Sequence, residues 1–131
     1  MKPDYKRAEA KAEELIKLNG IICPMTILKR LPGVLVSSYS ETSECTGIDR
    51  QKLLTMFGEH NQDAFTTARI ENGRTTYLVM YNKQLTCEET RNALARELGH
   101  IVLGHDGTRP EEVRNEEAIC FSRKLLEGFE Q

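Results

Sequence analysis

Arg96, Glu97 and His100 stand at positions one, two and five of the stretch RELGH, and Glu117 follows in the next helical segment. On a helix, residues four apart lie one turn from each other on a common face, so Arg96 and His100 are neighbours with Glu97 beside them. With histidine at both ends, that spacing would hold a metal ion, and the glutamate between would act as general base on a metal-bound water. Here the first place is arginine. A guanidinium has no free lone pair at neutral pH and carries the same sign of charge as a metal ion. The pattern therefore has the outline of a metal site and lacks one ligand.

A helical wheel groups Ala93, Arg96, Glu97, His100 and Gly104 within an arc of about 100°, apart from an apolar stripe of Leu94, Leu98 and Ile101. The small residues Ala93 and Gly104 flank the polar arc, which suggests that another element approaches closely over it. On the following helix Val113, Glu117, Cys120, Phe121 and Lys124 share a face, so Glu117 interrupts a largely apolar row. A buried carboxylate needs a cation or donors facing it.

These residues carry a resemblance. RNALARELGHIVLGH followed by NEEAICFSRKLL resembles the ImmA/IrrE metallopeptidases, whose two helices read HELGHxxLGH and ExEAxxFAxxLL. TTYLVMYN, just ahead, is similar to the family's strand ending in Asn, and the early helix followed by CPMTILKRLPGVLV also fits; the likeness spans roughly residues 8 to 127. It implies a zincin-like α+β fold, mostly helical, with a small, mainly antiparallel sheet of about three strands packed beside the motif helix. It also implies His100 and Glu117 as metal ligands and Glu97 as general base, with Arg96 in place of the remaining ligand.

Loss of a partner merely supporting a ligand already costs about 10 to 100-fold in metal affinity, so this loss should cost more. The expectation is a degenerate site without a cofactor, in which the Arg96 guanidinium covers the old metal position and pairs with Glu117, and with Glu97. The implied role is a protein-binding or regulatory module, acting on a helix-turn-helix repressor of a mobile element. The alternative is an active zinc endopeptidase with metal on His100, Glu117 and another ligand. A third reading is a structural domain in a mobile-element assembly.

Other residues near the motif could in principle supply that further ligand. His105 lies five residues past His100 and points about 140° away if the helix continues. Cys120 sits one turn from Glu117, and with Cys87 raises a thiolate ligand or a Cys/His nucleophile against the commoner role of a small buried hydrophobe. His60, in GEHNQD, reads as a solvated surface residue.

The elements that must position these groups have clear boundaries in places. Tyr5, Ala8, Ala12, Leu15 and Ile16 mark an amphipathic helix closed by Asn19-Gly20. A second helix begins near Pro24 and ends before Pro32-Gly33, followed by a short strand at Val34–Val36. Residues 37 to 63 read as polar loops around one short helix at LLTMF. Asn72-Gly73 between two β-prone runs predicts a hairpin of about 64 to 71 with 74 to 82. Thr86 and Glu89 predict a capping box opening the motif helix, about 87 to 103, which Gly104 stops. Thr108 and Glu111 around Pro110 suggest the same device for a helix of about 109 to 127, with Gly128 as its stop.

The 131 residues suit one domain, with 29% charged and 39% hydrophobic residues and a net charge of -2. That balance gives no argument for direct nucleic-acid binding. No run of about 18 apolar residues is present, and the N-terminus is too charged for a secretory signal, so no membrane partner and a cytoplasmic location are expected. Four cysteines without a CxxC pair, Cys23, Cys45, Cys87 and Cys120, read as reduced thiols.

Overall fold

A computed structural model describes residues 1–56, 63–105 and 107–129. Among these the elements run α1 (Tyr5–Asn19), α2 (Pro24–Arg30), β1 (Val34–Ser38), α3 (Tyr39–Thr46), α4 (Arg50–Met56), β2 (Ala64–Glu71), β3 (Arg74–Tyr81), α5 (Cys87–Val102) and α6 (Glu111–Leu126), with a short 3-10 turn at Glu127–Phe129. The class is α+β. No helix among the described residues is long and apolar enough to cross a membrane. His60 lies outside the described residues.

The chain gathers into two compact units, residues 25–94 and residues 1–24 with 95–131, so that α5 gives its first turns to one and its later turns to the other. In the first unit β3 is the central strand, in the order β1-β3-β2. β2 and β3 pair antiparallel from Ala64 opposite Tyr81 to Glu71 opposite Arg74. Their turn places Asn72 at φ 52° and Gly73 at φ 76°, both left-handed, as a two-residue hairpin turn that follows strand twist requires. β1 joins β3 in parallel, Val34 opposite Tyr77 through Ser38 opposite Tyr81. The sheet is thus mixed, where the resemblance had implied a mainly antiparallel one. A parallel neighbour needs a long crossover, and the α3–α4 segment and β2 supply it.

α3 is absent from the expectations, which placed loops over those residues. Its signals are nonetheless local. Ser38 and Glu41 form a capping box, Glu41 N–H donating to Ser38 Oγ at 3.1 Å, and Gly47 ends the helix at φ 75°. The helix carries Tyr39 into a cluster with Leu53 and Met80, against which Phe65 and Leu78 pack. Tyr39 is 1% exposed.

In the second unit α1 packs along α6. Ala8 and Ala12 on α1 are fully buried, as are Ala118 and Phe121 on α6. Small residues let the two axes approach, and Asp4 caps α1 by accepting from Arg7 N–H at 3.1 Å. Two expected devices differ. Pro110 rather than Thr108 stands at the N-cap of α6, in an extended conformation (φ -56°, ψ 146°) and without a side-chain cap of its own, and the helix starts at Glu111. Gly128 lies within the 3-10 turn rather than ending α6. Its value is clearance, since a Cβ there would come within 2.5 Å of Ile21 Cδ1.

Candidate functional site

The site belongs to the second unit and is assembled by two helix ends. Thr86 and Glu89 open α5 with the expected capping box, Thr86 N–H donating to Glu89 Oε1 at 3.0 Å and Glu89 N–H to Thr86 Oγ1 at 3.1 Å. α5 closes with paired bonds, His105 N–H to His100 O at 3.0 Å and Gly104 N–H to Ile101 O at 3.1 Å, with Gly104 at φ 66°. This is the Schellman arrangement, in which the residue after the left-handed glycine folds back over the residue five before it. Those two residues are His105 and His100.

The consequence is a side-chain chain. His100 Nδ1 lies 2.8 Å from His105 Nδ1, and the rings meet edge to face with centroids 5.0 Å apart. His105 Nε2 lies 2.9 Å from Glu117 Oε1. Arg109 Nη1 donates to Glu117 Oε2 at 2.9 Å, and Asp4 N–H donates to the same oxygen at 2.8 Å. Glu117 is 1% exposed and the His105 side chain 2%. The buried carboxylate therefore has three donors, as its burial requires.

The network assigns the protons. Glu117 accepts, so His105 donates from Nε2 and its Nδ1 keeps a lone pair. His100 must then donate from Nδ1, which leaves the lone pair of that ring on Nε2. Burial lowers His100 to about 4, helped by the neighbouring His105, which disfavours a second proton on the pair, and by the charges of Arg114 and Arg96. His105 is also lowered, chiefly by burial, against the raising effect of Glu117. Both rings are neutral at pH 7.

Several expectations are corrected here. Arg96 is exposed and makes no ion pair with Glu117 among the described residues; the partners of Glu117 are Arg109, His105 and the Asp4 backbone. Arg96 is solvent-exposed, and Arg109, thirteen residues later, supplies the guanidinium to Glu117. His105 does not continue the helix, so its expected 140° divergence from His100 does not arise. The signal for this was present in Gly104, the left-handed stop that folds the following residue back.

Close approach is provided by Gly99 rather than by Gly104. A Cβ on Gly99 would lie 2.9 Å from Phe121 Cδ1 and 3.4 Å from Ala118 Cα, whereas one on Gly104 would meet nothing within 4 Å. Cys120 donates to Tyr5 O at 3.8 Å and is not a partner of Glu117, and burial raises its thiol. Cys87 is exposed at the start of α5, and all four cysteines are free. Glu97 is half-buried on α5.

A zinc ion does not fit the donors as they stand. Co-ligands of a tetrahedral zinc lie about 3.3 Å apart, each presenting one lone pair to a common centre. The contacts of 2.8 and 2.9 Å are hydrogen bonds, and His105 uses opposite ring nitrogens for them. Its imidazole stands between His100 and Glu117, where an ion held by both would sit. Among the described residues no three His, Cys, Asp or Glu side chains are disposed as ligands about one point.

No family profile, curated protein or solved structure matches the chain.

Proposed function

We propose that this chain is a degenerate, zincin-like domain of the ImmA/IrrE type, which acts in the cytoplasm as a protein-binding or regulatory module rather than as a peptidase. The partner proposed is a helix-turn-helix repressor of a mobile element. One observation carries the reading. The His105 ring lies between His100 and Glu117, within 2.8 Å of one and 2.9 Å of the other. Arg109 and the Asp4 N–H engage the remaining carboxylate oxygen. The charge a metal would neutralise is already neutralised from within. Replacement of the first metal-binding histidine by Arg96 points the same way, because it adds positive charge and removes a donor.

A second reading remains attached to a specific feature. His100, His105 and Glu117 supply two imidazoles and a carboxylate, a donor set that zinc accepts when each turns one lone pair to a common centre. In that case Glu97 would serve as general base in an active endopeptidase. Elemental analysis of protein purified from zinc-supplemented cells separates the two. The degenerate reading expects far less than one zinc per chain and expects Arg96→His to take up zinc. Stoichiometric zinc in the unmodified chain, with proteolysis that a chelator abolishes, would overturn it.

A further inference from the structure

Every residue from Ala68 to Thr76, the tip of the β2–β3 hairpin, is exposed. β1 reaches only Tyr77–Tyr81 of β3, so among the described residues this tip has two strands and no third. An isolated two-stranded ribbon is marginally stable in water, and further strands are what it lacks. The tip also carries Ile70 at 75% exposure.

The two edges of the sheet differ in what they leave open. On β1 the bond from Tyr77 N–H to Gly33 O, 2.7 Å, turns the odd-numbered residues toward β3 and the even-numbered ones outward. Of the outward groups, Val34 N–H donates to Leu31 O at 3.4 Å, Ser38 N–H donates to Glu41 Oε1 at 3.4 Å, and Ser38 O accepts from Thr42 Oγ1 at 3.0 Å. On β2 the two-residue turn makes Glu71 and Arg74 a hydrogen-bonded pair, so Arg69 also bonds to β3 while Ala68 and Ile70 direct N–H and C=O outward. Among the described residues those four groups have no partner. β2 pairs from Ala64 to Glu71 without a bulge and contains neither proline nor lysine, the devices that usually close a free edge.

We propose that the outer edge of β2 pairs with the same edge of a second copy of this chain, antiparallel about a two-fold axis at Ile70. A two-fold interface must be self-complementary, and charge selects the register. Centred on Ala68, the pairing sets Arg69 opposite Thr67 and leaves its charge unanswered. Centred on Arg69, it sets guanidinium against guanidinium. Centred on Ile70, it sets Arg69 opposite Glu71 of the other copy on both sides of the axis, and the two isoleucines exchange both backbone hydrogen bonds. The Arg69–Glu71 pairs then fall at non-hydrogen-bonded positions, where facing side chains are closest. Within one chain Arg69 Nη2 lies 2.7 Å from Glu71 Oε1, with the side chains 78% and 54% exposed, so both groups stand on one face of the strand and remain open to a partner.

The experiment is sedimentation equilibrium of the full chain from about 1 µM to about 1 mM, with circular dichroism to confirm folding. A monomer–dimer equilibrium is expected, with a dissociation constant of about 100 µM, because so short a pairing buries less than a standard interface. Ile70→Lys should raise that constant about tenfold or more, since it places like charges on the axis. Arg69→Glu and Glu71→Arg each set like charges opposite one another twice and should also raise it about tenfold. All three residues are exposed, so these variants should fold. An equimolar mixture of the two charge-reversed variants should dimerise again, because an acidic strand then faces a basic one, a rescue that pairing within one chain cannot supply. A chain still monomeric at about 1 mM would overturn the proposal. So would a dimer indifferent to Ile70→Lys, a dimer indifferent to both charge reversals, or a mixture no more associated than its two components.

Discussion

The two units of this chain are held by different kinds of interaction. In residues 25–94 the centre is apolar: Tyr39, Leu53 and Met80 pack together with Phe65 and Leu78 over a three-stranded sheet. In the unit of residues 1–24 and 95–131, α1 and α6 also bury small and aromatic side chains, but a charged carboxylate, Glu117, is sunk among them with His105 and Arg109 as partners. Apolar packing depends on shape and ignores pH. A buried polar network has few satisfactory arrangements, and each member depends on the others. Chemistry is therefore expected where the second kind of interaction has been retained, because its cost needs another justification.

That contrast can be broken by experiment, beginning with the largest expected effect. Tyr39→Ala should cost about 3–5 kcal/mol by urea unfolding, the usual range for an aromatic core truncation, and the cost should be the same at pH 7 and pH 5. A loss that varied with pH would mean that the sheet unit is not the apolar half of the comparison.

Next in size is the effect of acid on the unit that holds Glu117. His100 is lowered from 6.5 to about 4 by burial first and by neighbouring cations after it. Above pH 6.5 the ring is neutral in both folded and unfolded chains and contributes no pH dependence. As pH falls below 6.5 the unfolded chain takes up the proton first, so stability is lost progressively until the folded ring also protonates near 4. Allowing for partial exposure, about 2 kcal/mol should disappear between pH 7 and pH 4.5, and His100→Gln should flatten that slope. An identical slope in the variant would show that the acid sensitivity arises elsewhere.

The smallest effect sharpens the comparison rather than testing its foundation. Gly104→Ala places a Cβ on a residue at φ 66° and should cost about 1 kcal/mol. Nothing lies within 4 Å of the added carbon, so the cost is conformational. Because Gly104 turns His105 back, the nitrogen-15 shifts of both imidazoles should move in this variant. Unchanged shifts would separate the histidine pair from the helix stop.

The elements most legible in sequence were those whose signal is local. Asn72-Gly73 demanded a left-handed turn and gave the hairpin; Thr86 and Glu89 satisfied each other's backbone N–H groups and gave the start of α5. α3 was missed although Ser38, Glu41 and Gly47 carry the same kinds of signal, because the polar composition of residues 37 to 63 outweighed them. The parallel pairing of β1 had no local signal at all. At the site, the importance of Glu117 was legible from its place in an apolar row. Its partners were not, because Asp4, Arg109 and His105 are brought to it by chain reversal and helix packing rather than by spacing on one helix.

Residue type and periodicity were enough to establish that Arg96 cannot donate an electron pair, that Glu117 must find donors, and that a helix stops at Gly104. Those properties follow from pKa, burial and backbone sterics at single positions. Which donors reached the carboxylate was settled by folding, because hydrogen bonds form between groups that tertiary packing brings within about 3 Å, whatever their separation along the chain. Thus His105 and Arg109 took the role that spacing had assigned to Arg96, and Arg96 was left facing solvent.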